Sequence, residues 1–387
     1  MRGRASIAAA EASRRSVEIL ADLISIPTYQ DSEVAIEYLS KRLERYGIRY
    51  HVDLYEGCKY NLVAEVNSRK PGKTLILNSH IDTVPPGNYG WSRDPFKAEA
   101  HEGRIYGLGA CDAKSSLSAM VAAFEAIAET GVLSVGKVVL AAVSGEETGG
   151  LGTQIALTEG LTGTAVIIGE PTRIIPRVAH KGVLRCYVDV KGKAAHASTP
   201  ELGINSISKM AKIVLALDEL AKSVKAYSDE ICGSASLAIT MIEGGRTLNV
   251  VPDSCRISID RRLVPGEEEE QAFSELKSVI ENRNVWDYPF GASVSKLRFL
   301  PPSKTDPNHE LVLAARRAIR AVTGTDPGCG GFEASCDMTF FSNRAMIPGI
   351  ILGPSDLALA HQVDEYVEER EVRLAADVYV RTVLEYL

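Results

Sequence analysis

Hydrophobic and polar positions along the chain follow two regimes. Over the first 180 residues, continuous apolar runs alternate with helical patterns. TLILNSH (74–80), KVVLAAVS (137–144) and TAVIIGE (164–170) show no polar face, so each predicts a strand buried on both sides. Between the first two, SLSAMVAAFEAIAET repeats Leu117, Met120, Val121, Phe124 and Ile127 at helical intervals. Buried strands separated by helices predict an α/β domain: a mixed, mostly parallel sheet with helices on both faces.

The middle of the chain changes period. In GVLRCYVDVKG, Leu184, Cys186, Val188 and Val190 alternate with Arg185, Tyr187, Asp189 and Lys191, which is a strand with one wet face. A helix (SISKMAKIVLALDELAK), two strand-like runs (SLAITMIEGG and SCRISIDRRLV) and an acidic helix (EEEEQAFSELKSVI) follow. The order strand–helix–strand–strand–helix–strand predicts a ferredoxin-like α+β unit, placed at 179–296. The EEEE run at 267–270 reads as the solvated first turn of its helix. Beyond it the first regime returns, with a helix (NHELVLAARRAIRAVTG), a buried run (AMIPGIILG), a loop and a last helix. One domain, 1–178, is thus interrupted by 179–296 and completed by 297–387.

Composition narrows the partners. Lys+Arg at 43 against Asp+Glu at 50 gives a net charge of −7, with no basic surface signal for nucleic acid. No apolar run approaches the roughly 18 residues that span a bilayer. The N-terminal MRGRASIAAAEASRRSVEIL carries acidic residues at helical spacing and reads as a first helix rather than a signal or transit peptide. Seven cysteines (58, 111, 186, 232, 255, 329 and 336) include no Cys-x-x-Cys pair, which predicts free thiols in a reducing compartment, the cytoplasm. Cys111 and Cys336 read as small packed side chains. His51, His101, His180 and His309 read as surface residues.

The informative feature is where charge sits relative to the apolar runs. One run ends in His80 and Asp82, a second in Glu146 and Glu147, a third in Glu170, and His361 lies just past the last. In an open α/β sheet, ligands collect beyond the carboxyl ends of the strands, so these residues predict one site. Asp112, just before the long helix, joins them. Two histidines with several carboxylates suit a borderline divalent cation, zinc first. Five candidate ligands are too many for one ion with an open position and suit two, about 3.5–4 Å apart. Adjacent residues point in different directions, so Glu146 and Glu147 divide the work. Glu147 reads as a ligand. Glu146 reads as the general base that takes a proton from water acidified by the ions.

These stretches resemble a known family. SHIDTVPPG, GLGACDAK, SGEETGGLG, GEPT, KGKAAHAS, GGRTLNVVPD and AHQVDEYV are similar, in order, to motifs of the di-zinc amidohydrolases that include acetylornithine deacetylase, succinyl-diaminopimelate desuccinylase, aminoacylase and glutamate carboxypeptidase. The resemblance runs from about residue 15 to the C-terminus. It implies a zinc-peptidase-like catalytic domain with an inserted lid and dimerisation domain. It implies that His80 and Glu170 bind opposite metals, that Asp112 bridges them, and that Glu147 and His361 complete the set. Zinc is the implied ion, with cobalt or manganese as alternatives. It further implies that Asp82 orients His80, that His196 supports the oxyanion in a partner subunit, and that Asn249 touches substrate, which makes the protein a homodimer through the inserted domain.

Two departures stand out. Ser115 and Ser116 replace glycines that often follow Asp-x-Lys, and Thr339 stands two residues after Asp337 where desuccinylases usually carry an Arg. A Thr cannot supply the bidentate charged fork of Arg. The expected activity is hydrolysis of a small N-acyl amino acid. The alternatives are a dipeptidase or carboxypeptidase-like peptidase with the same metals, and an inactive metal-containing binding protein. An NAD-dependent enzyme is disfavoured, because the glycines at 107–109 lack the third glycine of a dinucleotide fingerprint.

Overall fold

A computed structural model describes residues 2–55, 59–87, 90–281 and 291–387; Cys58 lies outside them. The apolar runs form the centre of a mixed sheet. Thr74–His80 lies between Lys137–Val143 and Ala165–Ile168 and parallel to both, and Gly349–Ile351 extends the parallel set beyond Ala165–Ile168. Lys59–Asn67 and Arg49–Tyr55 add antiparallel strands on one edge. Arg177–His180 joins the other edge, with Arg177 opposite Ile351. Every residue of Thr74–His80 after the first is buried, although successive side chains point to opposite faces. Both faces are therefore covered, as an uninterrupted apolar run requires.

The helix Lys114–Thr130 packs against Arg2–Ile24 and Glu369–Tyr386 as well as against the sheet. It is buried almost all round rather than along a stripe. Its Glu125 is fully buried, and Arg42 meets it with two hydrogen bonds, Nε–H to Oε1 at 2.8 Å and Nη2–H to Oε2 at 2.9 Å. A buried carboxylate needs such a partner, because the low-dielectric interior penalises an unpaired charge by several kcal/mol.

The chain divides into two compact units. Thr305–Phe332 and Cys336–Leu387 belong with the residues up to Val178; Ala179–Lys304 and Glu333–Ser335 form the second unit. In the second, four antiparallel strands are ordered Ser236–Gly244, Ser254–Leu263, Gly182–Lys191, Gly291–Leu300. The helices Ser206–Ser223 and Glu269–Glu281 bury Met210, Ile213, Leu217, Leu276 and Ile280 against the apolar side chains of those strands. The period-two stretch 182–191 takes Ser254–Leu263 on one edge and Gly291–Leu300 on the other, and the strand order is that of a ferredoxin-like unit. The last strand does not stop at 296. Leu300 pairs with Val183, and Ser303–Lys304 pairs back to Ala179–His180, so the ladder carries the insertion to 304.

Two sequence readings need correction here. Glu267, first of the EEEE run, is not simply solvated: it forms an ion pair with the buried Arg261 and accepts the N–H of Val264 at 2.7 Å. His180 is fully buried rather than on the surface, because it ends a strand that has partners. Burial pushes its pKa down to about 4, against a hydrogen bond to the carbonyl of Lys181.

Candidate metal centre

The parallel strands end at one edge, and their ends carry the chemistry. His80 is the last residue of Thr74–His80, with Asp82 two positions on. Glu146 and Glu147 lie in the turn between Lys137–Val143 and the helix Leu151–Thr158. Glu170 follows Ala165–Ile168 by two residues, Asp112 precedes Lys114–Thr130 by two, and His361 follows the short turn Leu357–Leu359. Neighbouring parallel strands necessarily deliver such residues to the same side of the sheet.

The side chains gather into two groups. His80, Asp112 and Glu170 form one, and Asp112, Glu147 and His361 the other; within each, the candidate donor atoms all lie within 4.8 Å of one another. His80 Nε2 is 3.1 Å from Asp112 Oδ1 and 3.8 Å from Glu170 Oε1. His361 Nε2 is 3.0 Å from Glu147 Oε1 and 3.4 Å from Asp112 Oδ2. Asp112 is common to both groups and turns a different oxygen to each. Glu146 belongs to neither. The arrangement differs from the family expectation in one respect: His80 and Glu170 share a group instead of facing opposite ions. The strands before Glu170 and before Glu147 both flank Thr74–His80 in parallel, so strand adjacency brings either glutamate near; the paths of the two turns put Glu170, not Glu147, beside the His80 ring.

Asp82 also acts differently from expectation. His80 Nδ1–H donates to the main-chain carbonyl of Asp82 at 2.8 Å, while the Asp82 carboxylate lies 3.7 Å from that nitrogen. The carboxylate instead accepts the main-chain N–H of Glu146 at 3.3 Å and of Glu147 at 3.2 Å. The carbonyl thus keeps a proton on Nδ1, so Nε2, which meets Asp112 while it carries a proton, becomes the free ligand atom once that proton is lost. The carboxylate fixes the turn that holds the two glutamates.

The electrostatics favour a cation. Burial pushes the Glu146 and Glu170 carboxyls well above the usual range, and neighbouring carboxylates push the same way. Against burial, hydrogen bonds from His361 and His80 hold Asp112 low. Hydrogen bonds to Asp112 and Glu147 raise His361 to about 10. Among the described residues, only histidines form ion pairs with Asp112, Glu147 and Glu170. Clustered carboxylates without a Lys or Arg partner, each beside an imidazole nitrogen, form a donor set that fits divalent ions.

Three buried groups around the centre were not singled out by the sequence. Glu365, within AHQVDEYV, is 2% exposed and accepts the N–H groups of Gly109, Cys111 and Asp112 at 3.0, 2.7 and 2.9 Å. Burial lifts its carboxyl to about 7, against those three donors. Lys114 is also buried and donates through Nζ to the carbonyls of Leu23 and Ile26 at 2.9 and 2.8 Å, tying the Asp112 turn to the first helix. Asp337, buried, accepts a hydrogen bond from Thr153 Oγ1 at 2.6 Å. A charged residue inside a quoted motif was the available signal for Glu365 and Lys114.

His196 and Asn249 lie in the second unit, where a two-stranded ribbon brings them together. His196 pairs with Val250, and the N–H of Ala197 donates to the Asn249 carbonyl at 2.9 Å. The His196 ring is exposed, and its Nδ1 accepts the N–H of Ser198 at 3.2 Å. Thr339 is buried in the short helix Met338–Asn343. Cys111 and Cys336 are buried, and burial pushes both thiols up, away from the thiolate form.

Comparison with known proteins agrees with this fold. The profile of peptidase family M20/M25/M40 matches residues 76–385. A Staphylococcus epidermidis protein named a probable succinyl-diaminopimelate desuccinylase is 28% identical over 406 aligned positions, covering 96% of this chain and 97% of that one. Among solved structures, an M20 family metallo-carboxypeptidase from Sulfolobus solfataricus superposes with a TM-score of 0.81 at 21% identity, over 96% of this chain and 98% of that one. A dinuclear metal-binding peptidase of the M20 family from Bacillus subtilis superposes with a TM-score of 0.73 at 18% identity, over 97% of this chain and 99% of that one. With most of its length inside the family profile, the chain belongs to peptidase family M20/M25/M40 and is a hydrolase of that family.

Proposed function

We propose that this hydrolase cleaves the amide bond of a small N-acyl amino acid at a centre of two divalent cations. The observation that carries the reading is the pair of donor groups sharing Asp112, with Glu146 next to Glu147 in the turn held by Asp82 and in neither group. His80, Asp112 and Glu170 would hold one ion and Asp112, Glu147 and His361 the other, zinc first with cobalt and manganese as alternatives. When bound, the ions supply Lewis acidity that polarises the amide carbonyl and acidifies water. Glu146 takes the proton of the attacking water as a C–O bond forms at the carbonyl carbon. It then returns that proton to the leaving nitrogen as the C–N bond breaks. The products are a carboxylate and a free amine.

His196 and Asn249 are the proposed contributions of the inserted unit. A backbone N–H can only donate, so the contact from Ser198 makes Nδ1 of a neutral His196 the acceptor and leaves the proton on Nε2. That proton is available to an oxyanion. Asn249, held beside it, would meet the substrate. In this reading His196 of one copy serves the centre of another, and the protein is a homodimer. The edge strand Ser236–Gly244 supports such pairing, since Met241 and Ile242 are exposed on it. Sedimentation equilibrium at micromolar concentration tests the dimer, and a monomer would remove this role for His196. The six described cysteines are free, which supports a reducing compartment, the cytoplasm. No helix among the described residues is long and apolar enough to cross a membrane.

The second reading is a dipeptidase or carboxypeptidase on the same residues. It draws on the metallo-carboxypeptidase of similar fold and on Thr339, which offers no guanidinium to a succinyl carboxylate. A panel of N-acetyl and N-succinyl amino acids against dipeptides, with the zinc-loaded protein, separates the two. Higher kcat/KM on the acyl amino acids supports the deacylase, and higher kcat/KM on dipeptides overturns it.

A further inference from the structure

We propose that Glu365 is a positioning residue that locks the Asp112 turn to the His361 loop and thereby sets the affinity of the Asp112–Glu147–His361 group for its cation. The inference rests on the two-cation reading above. Glu365 is 2% exposed, yet no cation pairs with it among the described residues. Its two oxygens are used on backbone: Oε2 accepts the N–H of Gly109 at 3.0 Å, and Oε1 accepts those of Cys111 at 2.7 Å and Asp112 at 2.9 Å. Its own carbonyl accepts the N–H of Gly107 at 2.9 Å. The turn carrying Asp112 is thus wrapped around one carboxylate, and charge-assisted bonds of this kind are the strong ones.

The other end of the tie is the His361 loop. His361 and Asp364 both sit in left-handed backbone, at φ 61° and 57°, conformations that a non-glycine residue keeps only when its surroundings impose them. Asp364 anchors the outer side of the loop by accepting the N–H groups of Ser92 and Arg93 at 2.9 and 3.3 Å. Glu365 anchors the inner side. Two of the three donors in the His361 group, Asp112 and His361, therefore depend on Glu365. In the His80 group only Asp112 does. The consequence is an asymmetry between the two ions.

Zinc titrated into metal-free protein, followed by calorimetry, tests it; the steps lost in His361→Ala and in His80→Ala assign each ion to its group. Glu365→Gln keeps the shape but turns an amide N–H2 toward a backbone N–H. It is expected to weaken the His361-group step by at least about tenfold, the usual cost of losing a partner behind a ligand, and the His80-group step by less. Equal weakening of both steps, or no change in a folded variant, overturns the proposal. If Glu365→Gln does not fold, Asp364→Asn loosens the same loop from outside and is expected to weaken the same step; two unchanged steps there also overturn it. An unaltered chain that binds fewer than two zinc ions overturns the two-cation reading itself, whatever Glu365 does.

Discussion

The carboxylate of Asp82 accepts the main-chain N–H of Glu147 at 3.2 Å and, with its other oxygen, that of Glu146 at 3.3 Å. One side chain thus sets the turn that presents both the proposed base and a proposed ligand. Its main-chain carbonyl meanwhile orients His80. Asp82→Asn keeps the carbonyl and loses the charged acceptor. It is expected to lower kcat by about 10–100-fold, as loss of a supporting partner behind a metal site does. Steady-state kinetics checks this, and an unchanged kcat would show that the turn holds without the carboxylate.

Glu146 stands outside both donor groups, so its removal separates chemistry from metal binding. Glu146→Gln is expected to retain two ions per chain by elemental analysis while kcat falls about 10²–10⁴-fold, the range of a lost general base. A variant that loses an ion would make Glu146 a ligand. One that keeps its rate would move the base elsewhere.

Removing the ions should loosen the fold as well as stop turnover. Asp112 and Glu170 are buried near one another, and no Lys or Arg pairs with either among the described residues. Ions bound only by the folded chain stabilise it by about 4 kcal/mol when present at a thousand times their Kd. Differential scanning calorimetry is expected to show a lower Tm after chelation, restored by zinc. An identical Tm in both states would count against ions at this centre.

The Arg42–Glu125 pair predicts a large structural cost far from the chemistry. Both side chains are buried, and Arg42→Ala strands Glu125 with only Arg15 nearby at 4.0 Å. Removing one partner of a buried pair costs about 3–5 kcal/mol. Urea unfolding measures it, and a loss under about 1 kcal/mol would mean that Glu125 finds another partner or water.

His180 gives stability a pH dependence of known sign. Its folded pKa is lowered to about 4 from an ordinary 6.5, so between these values the unfolded chain binds the extra proton. The contribution is fully present above about pH 6.5 and is lost as pH falls toward 4; at 1.36 kcal/mol per unit it is on the order of 3 kcal/mol. Comparing the pH dependence of unfolding for His180→Gln and the unaltered chain checks this. Parallel curves between pH 4 and 6.5 would refute it.

Much of this protein was legible before any coordinates. Uninterrupted apolar runs can be satisfied only by strands covered on both faces, and period two in 182–191 only by a strand with one dry face. The positions of His80, Glu147 and Glu170 at the ends of such runs place them together, because parallel neighbours share an edge. Other features depended on which elements became neighbours. That His80 shares its group with Glu170 and not with Glu147, although the strands before both flank its own, is set by the paths of the turns after those strands, which periodicity does not encode. The burial of His180 and the pairing of Glu267 with Arg261 arise from contacts set by the fold. The use of the Asp82 carbonyl on His80, and the wrapping of residues 109–112 around Glu365, are main-chain hydrogen bonds. A sequence specifies side chains; which backbone groups they meet is decided only when the chain closes on itself.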